Sequence, residues 1–229
     1  MRFTSRKLTP NEFVIGAIYY VLQLLIIPAI LGLVNMILPV PFSEAVVNFA
    51  FFTINFVAVV LIFRKFLKEN LRIALETPWQ TLRFAGIGLA IYFLGTSLVT
   101  SVNIWIYPDF ANINDMTIMG MVQEYFGLMV IGTVFLVPIA EESFYRGLIF
   151  RQLFDRHPTA AYLISMAVFS VVHIAGYIGM TDWLTMLLCF FQYLPAGFAL
   201  AWCYHRSNTI FAPILVHMAV NQVGMLTMR

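Results

Sequence analysis

Charged residues are scarce in this chain. Asp, Glu, Lys and Arg make up only 10% of its 229 residues, whereas hydrophobic residues make up 61%. A soluble domain carries about 25% charged residues, so this composition excludes an ordinary soluble domain and predicts a polytopic membrane protein. The net charge of +2 gives no indication of nucleic-acid binding, and we expect no nucleic-acid partner.

Several signatures of other protein classes are also missing. The two cysteines, Cys189 and Cys203, have a spacing that indicates neither a disulfide nor a metal site. The sequence contains no GxSxG, which argues against a serine hydrolase, and no HExxH, the helix signature of many zinc proteases. We also find no internal repeat, which argues against a proton-coupled transporter built from inverted halves.

Long apolar runs are what the sequence has in abundance. A helix needs about 20 mostly apolar residues to cross a bilayer, and seven segments are candidates. We therefore predict an all-α, polytopic transmembrane helix bundle of about seven spans. The predicted spans are 13–38, 45–63, 84–106, 126–140, 160–178, 183–204 and 210–228.

Basic residues follow every second predicted span. Short connections rich in Lys and Arg remain on the cytoplasmic side, which predicts that the N-terminus is inside. Segment 64–80 alternates apolar and charged residues, and we expect an amphipathic helix on the cytoplasmic surface. Of thirteen Lys and Arg, only Arg229 lies outside the segments 1–12, 64–83, 141–159 and 205–209.

This orientation makes a prediction about function. Glu141 and Glu142 follow the fourth predicted span directly, so they would lie at its cytoplasmic end. His173 and His217 lie further inside their own spans. We therefore expect a recessed site that is reached from the cytoplasm.

Three short polar motifs interrupt the apolar runs. Glu141–Arg146 reads EESFYR, 169–173 reads FSVVH and 217–221 reads HMAVN. An ionisable group at bilayer depth costs at least about 2.5–3.5 kcal/mol, so it usually has a function or a partner. Each motif alone is explained as readily by an anchoring ion pair or by a hydrogen bond between helices.

Taken together, the motifs indicate catalysis. Glu142 and Arg146 are four residues apart and can pair on one helix face, which leaves Glu141 free. A free glutamate beside His173 can activate a water molecule. His217 and Asn221 project from one helix face and can donate hydrogen bonds to an oxyanion. This combination predicts hydrolysis of an amide.

In this order and spacing, the motifs EExxxR, FxxxH and HxxxN resemble the CPBP family of intramembrane proteases, also called the CAAX-protease or Abi family. The resemblance covers roughly residues 125–225, which would form the catalytic region, and 1–124 would supply further transmembrane helices. It implies an endopeptidase that acts on a membrane-embedded or lipidated peptide near the cytoplasmic face. Bacterial members are connected with bacteriocin maturation and immunity, which implies the plasma membrane of a bacterium.

The resemblance also implies a role for each motif residue. Glu141 would be the general base, acting with His173, and His217 and Asn221 would stabilise the oxyanion. The supporting residues would be Glu142, Arg146 and Phe169, the last of these one turn from His173.

Two alternatives stay open. Glu141, His173 and His217 could together hold a zinc ion, although Asn is a poor zinc ligand and we favour a metal-independent mechanism. The chain could also be a non-enzymatic immunity or partner-binding membrane protein that retains the motifs.

Overall fold

The computed structural model describes residues 3–229, and these form helices joined by short connections. All the helices except α3 and α8 are long and apolar enough to cross a membrane, and α8 is a shorter apolar helix. The prediction of an all-α bundle with about seven spans is therefore confirmed. In chain order the helices are α1 (Pro10–Ile37), α2 (Glu44–Ile62), α3 (Arg64–Glu76), α4 (Pro78–Ile106), α5 (Ile113–Phe154), α6 (Pro158–Ala175), α7 (Trp183–Ser207) and α8 (Phe211–Thr227).

The start of α1 is fixed by its own sequence. The Thr9 side chain accepts a hydrogen bond from the Glu12 backbone N–H at 3.2 Å, and a Glu12 carboxylate oxygen accepts the Thr9 N–H at 2.9 Å. This reciprocal arrangement satisfies two backbone donors that the first turn would otherwise leave free. The other oxygen of Glu12 accepts the Phe66 N–H at 3.0 Å, which attaches α1 to α3.

The amphipathic helix α3 ends at Glu76, before Pro78, and is partly built into the bundle. Pro78 begins α4, because proline is favourable in the first turn of a helix. Phe66 and Asn70 are completely buried. Asn70 accepts the backbone N–H of Ile210 at 2.9 Å, so α3 contacts the start of α8.

Helix α5 differs most from the prediction. The connection between the predicted spans 84–106 and 126–140 is already helical from Ile113, and a kink at Tyr125 (φ −139°, ψ 67°) separates that first part from the rest. The span predicted to end at residue 140 continues to Phe154. Two stretches of α5, Val130–Leu136 and Ser143–Phe150, have π-helical hydrogen bonding.

Basic side chains collect at one end of the bundle. Lys7 pairs with Asp155 at 2.9 Å, which joins the N-terminal segment to the connection between α5 and α6. The Thr4 N–H donates to Asn208 in the connection between α7 and α8 at 2.7 Å. The cation-rich connections are therefore neighbours in space, as the positive-inside pattern requires.

We predict that reporter fusions will place this end in the cytoplasm. Alkaline phosphatase is active only outside the cytoplasm, whereas green fluorescent protein folds in the cytoplasm. Fusing each reporter to the same connection therefore gives two independent measurements of its side of the membrane. A single connection reporting the opposite side in an intact protein would contradict the N-in orientation. Fusions after Glu44, Asp109 and Asp182 should read as external, and those after Lys68, Arg156 and Arg206 as cytoplasmic.

Candidate active site

Glu141 and Glu142 lie in the interior of α5. They belong to the short α-helical turn Val137–Glu142, which connects the two π-helical stretches. Because α5 continues for several turns beyond them, they do not lie at the end of the helix. Their position at the cytoplasmic end of the fourth span stays a prediction. Local π-helical geometry is frequent at functional sites, since it changes the direction of the following side chains.

The predicted ion pair between Glu142 and Arg146 is present and completely buried. Arg146 Nε lies 3.0 Å from Glu142 Oε2, and neither side chain is accessible to solvent. Arg146 Nη2 also donates to the backbone carbonyl of Gly197 on α7 at 3.1 Å. The guanidinium carbon lies 5.1 Å from the centre of the Phe169 ring, so a cation–π contact adds to the pair.

Glu142 also contacts a residue that the sequence did not connect with it. Its second oxygen, Oε1, lies 3.0 Å from His217 Nδ1. Because Glu142 faces a guanidinium and therefore acts as an acceptor, Nδ1 of His217 is the donor. These contacts form a chain from Arg146 through Glu142 to His217. The chain fixes the orientation of the His217 ring and does not engage its Nε2.

His173 is oriented by its own helix. Its Nδ1 lies 2.7 Å from the backbone carbonyl of Phe169, and since a carbonyl only accepts hydrogen bonds, Nδ1 carries the proton. When the ring is neutral, its Nε2 is therefore unprotonated. The ring centre lies 4.3 Å from that of Phe169 and 4.6 Å from that of Tyr193 on α7.

Tyr193 was not found by sequence reasoning. Its ring confines His173, and its hydroxyl is part of a polar network with the start of α5. Asn114 Nδ2 donates to that hydroxyl at 3.0 Å, and the hydroxyl donates to Asn112 at 3.3 Å. No sequence pattern marks this residue, because a single tyrosine in an apolar helix is common.

The two histidines converge on Glu141. His173 Nε2 lies 3.9 Å from Glu141 Oε2, and His217 Nε2 lies 4.0 Å from the same oxygen. These separations are too long for direct hydrogen bonds, but they suit a small molecule such as water held between the three atoms. The structure therefore brings together three of the four residues predicted to be catalytic.

Asn221 occupies a different position. Its Nδ2 donates to the backbone carbonyl of Thr133, in the first π-helical stretch, at 2.8 Å. This bond directs the Asn221 amide toward α5, and the shared role of Asn221 and His217 stays a prediction. One N–H of the Asn221 amide is used in this way, and the bond holds α8 against the helix that carries Glu141.

A cavity of about 690 Å³ contains Glu141 and His173 in its wall. It extends along the second half of α1, the first half of α2 and the last turn of α6. These parts all lie toward the end of the bundle opposite to the cation-rich connections. We expected the N-terminus to be inside and the site to be reached from the cytoplasm. With the N-terminus inside, a cavity at this end would open away from the cytoplasm, so the two expectations do not hold together. Further wall residues include Gln23, Pro28, Gly32, Asn48, Asn55 and Gly176.

Two comparisons with known proteins identify similar sequences. Residues 123–223 match the family model described as "Rce1-like: Type II CAAX prenyl endopeptidase Rce1-like". The chain is also 30% identical over 173 residues to a Bacillus subtilis (strain 168) protein named "Putative membrane peptidase YdiL". That match covers 72% of this chain and 64% of the relative, so it spans just under two thirds of the relative's length. No solved structure matches the chain.

Over residues 123–223 the chain is similar to the CAAX prenyl endopeptidase family. With its long apolar helices, it is an integral, multi-pass membrane protein. The matched region contains Glu141, His173, His217 and Asn221, together with the supporting residues.

The site has zinc-type donors at a spacing that does not suit zinc. Two imidazoles and a carboxylate are common zinc ligands, with bonds of about 2.0–2.2 Å. Tetrahedral ligands at such distances lie roughly 3.3 Å apart, whereas Glu141 Oε2 lies 3.9 Å and 4.0 Å from the two histidine nitrogens. Among residues 3–229, no group of three His, Cys, Asp or Glu side chains has the spacing of a metal site.

We predict that the purified protein is metal-free and insensitive to chelators. His217→Gln should then retain part of the activity, because an amide N–H can still donate a hydrogen bond to the oxyanion. Elemental analysis of the purified protein and activity after chelator treatment measure this directly. Stoichiometric zinc, with activity lost to a chelator and restored by Zn²⁺, would contradict the prediction.

Proposed function

We propose that this chain is an intramembrane endopeptidase in which Glu141 activates water to hydrolyse a peptide bond. The observation that supports this most strongly is that Glu141 Oε2 lies 3.9 Å from Nε2 of His173 and 4.0 Å from Nε2 of His217. A water molecule at that point would lie beside two proton acceptors, the Glu141 carboxylate and the unprotonated nitrogen of His173. Such an arrangement is suited to general base catalysis.

The proposed reaction proceeds through a tetrahedral intermediate. The water oxygen bonds to the peptide carbonyl carbon while its proton passes to Glu141, with His173 positioned to share it. The carbonyl oxygen becomes an oxyanion, and the C–N bond then breaks as Glu141 returns the proton to the leaving nitrogen. The products are a carboxylic acid and an amine, so no other reactant is needed.

His217 and Asn221 are proposed to stabilise the oxyanion. To donate from Nε2, His217 must carry protons on both nitrogens, and Glu142 is the anion that faces its Nδ1–H. Asn221 has one amide N–H engaged by Thr133, and its second N–H is proposed to donate to the oxyanion. Glu142 and Arg146 are proposed as positioning residues, because they act through His217.

The proposed division of the chain follows from these assignments. Residues 125–225 would form the catalytic region, and 1–124 would supply membrane helices that shape the approach to it. We propose that the substrate is a membrane-embedded or lipidated peptide or protein, and that the protein resides in the plasma membrane of a bacterium. The named bacterial relative, a membrane peptidase by its description, supports both proposals.

Comparative peptidomics tests this function. Membranes from cells that produce the wild-type protein should contain cleavage products that are absent when Glu141→Gln replaces it at equal abundance. Restoring the wild-type protein should restore those products. Identical peptide profiles in the two membranes would contradict the endopeptidase and favour the non-enzymatic alternative.

A further inference from the structure

The cavity beside Glu141 contains an unusual buried side chain. Gln23 lies on α1 and is only 8% exposed, yet it belongs to a helix whose other residues are mostly apolar and open to the surroundings. No hydrogen bond joins its carboxamide to any other part of residues 3–229. Its amide atoms are not fully enclosed, so they are accessible for a hydrogen bond from within the cavity. This amide lines the cavity that contains Glu141 and His173.

The same cavity has an open side. Helix α1 packs against α2 and against Ser143–Phe150, and makes no comparable contact with α6. Leu25 on α1 and Val171 on α6 both line the cavity, yet they are 64% and 48% exposed. The rim between α1 and α6 therefore opens sideways, toward where lipid would lie.

We propose that the space between α1 and α6 binds an extended, uncharged peptide segment, and that Gln23 holds its backbone. This proposal names the substrate class of the proposed endopeptidase and rests on that function. A carboxamide has one acceptor group and one donor group, which match the N–H and C=O groups of a peptide. An extended segment in a membrane has unpaired backbone groups, so it requires such partners.

The position of the cavity agrees with this occupant. Lining residues of α1 and α6 lead from the lipid-facing rim to His173, so a segment entering sideways would reach Glu141. The lining contains no Lys or Arg, and its only carboxylate is Glu141. An apolar segment is therefore favoured over a charged one. The Gln23 carboxamide would fix the segment's position along the cavity.

Two glycines allow the cavity to be narrowed without disturbing the protein. Gly32 and Gly176 both line the cavity, and a Cβ built at either would meet no atom within 4 Å. Gly86 on α4 has equally open surroundings but lies outside the cavity lining. Gly32→Phe is therefore the test variant, and Gly86→Phe is its matched control.

The test uses Glu141→Gln protein in liposomes, so that binding is separated from cleavage. The probes are short, uncharged apolar peptides with a benzophenone group, and a photoactivatable phosphatidylcholine serves as a competing probe. We expect peptide crosslinks on the cavity-facing residues of α1 and α6. Gly32→Phe should decrease them at least tenfold, and Gly86→Phe should leave them unchanged.

The role of Gln23 has its own comparison. Gln23→Met has nearly the same shape without the hydrogen-bonding groups, and should weaken peptide binding by about tenfold. Leu22→Met introduces the same residue on the exposed face of the same helix, and should have no effect. Equal peptide binding by Gln23→Met and Leu22→Met, or crosslinking by the phospholipid alone, would overturn the proposal.

Cleavage by the wild-type protein is measured separately with the same peptides. If peptides bind between α1 and α6 but no cleavage depends on Glu141, the endopeptidase proposal fails while the binding site stands. If cleavage depends on Glu141 but is unaffected by Gly32→Phe and Gln23→Met, the proposed binding site is contradicted while the endopeptidase function stands.

Discussion

Replacing Glu141 with glutamine should decrease the rate of peptide cleavage by about 10²–10⁴-fold, the usual contribution of a general base. Glutamine has the shape of glutamate but cannot accept the proton of the attacking water. The thermal stability of the purified protein should remain near that of the wild type, because Glu141 forms no short ion pair. Its nearest cationic candidates are the histidine nitrogens at 3.9 Å and 4.0 Å.

A second glutamate on the same helix provides the control. Glu124 precedes the kink in α5 and lies outside the cavity lining, so Glu124→Gln should cleave like the wild type. Initial rates at saturating and limiting substrate would separate a loss of kcat from weaker binding. Retention of most of the wild-type kcat by Glu141→Gln would exclude Glu141 as the base.

Replacing Glu142 with glutamine should lower both stability and activity. The change leaves Arg146 as a buried cation without its paired carboxylate, and breaking a buried ion pair in this way costs about 3–5 kcal/mol. Both side chains are completely buried, so water cannot solvate the guanidinium after the carboxylate is lost. Activity should fall as well, because His217 loses the carboxylate that fixes its ring. Thermal unfolding in detergent measures the first effect.

An exposed glutamate–arginine pair is the matched control for Glu142. Glu69 and Arg72 pair at 2.6 Å on α3, where their side chains are 34% and 60% exposed, and pairs in contact with solvent contribute little. Glu69→Gln should therefore leave the unfolding temperature nearly unchanged. A larger loss from Glu69→Gln than from Glu142→Gln would contradict the structural role assigned to the buried pair.

A double variant separates the two roles of Glu142. In Glu142→Leu/Arg146→Leu, apolar side chains replace both partners, which is often neutral or stabilising. Stability should return toward the wild-type value, but activity should not, because His217 still lacks its acceptor. Recovery of both would mean that Glu142 affects the reaction only through folding.

The sequence predicted the membrane helices well because hydropathy is a local property. It failed at α5 for a specific reason. A polar run such as EESFYR ordinarily ends a span, since each charge must otherwise be paired inside the protein. Here Glu142 is paired with both Arg146 and His217. One of those partners is on another helix, and no pattern within α5 could reveal it.

The candidate site shows the same limit. The spacing of Glu142 and Arg146 predicted their contact, because residues four apart share a helix face. The partners of Tyr193 and Asn221 could not be read in this way, since each contact joins separate helices. Asn221 follows His217 by one turn, but its direction is determined by a carbonyl of α5.

The π-helical stretch Val130–Leu136 precedes Glu141 in the same helix. An α-helix turns by about 100° per residue, whereas a π-helical turn accommodates an additional residue. If the same sequence were wound as a regular α-helix, every side chain after this stretch would be rotated about the helix axis. Glu141 would then no longer face His173 and His217. The carboxylate of Glu141 makes it a candidate base, and the π-helical winding one turn earlier determines the direction in which that carboxylate points.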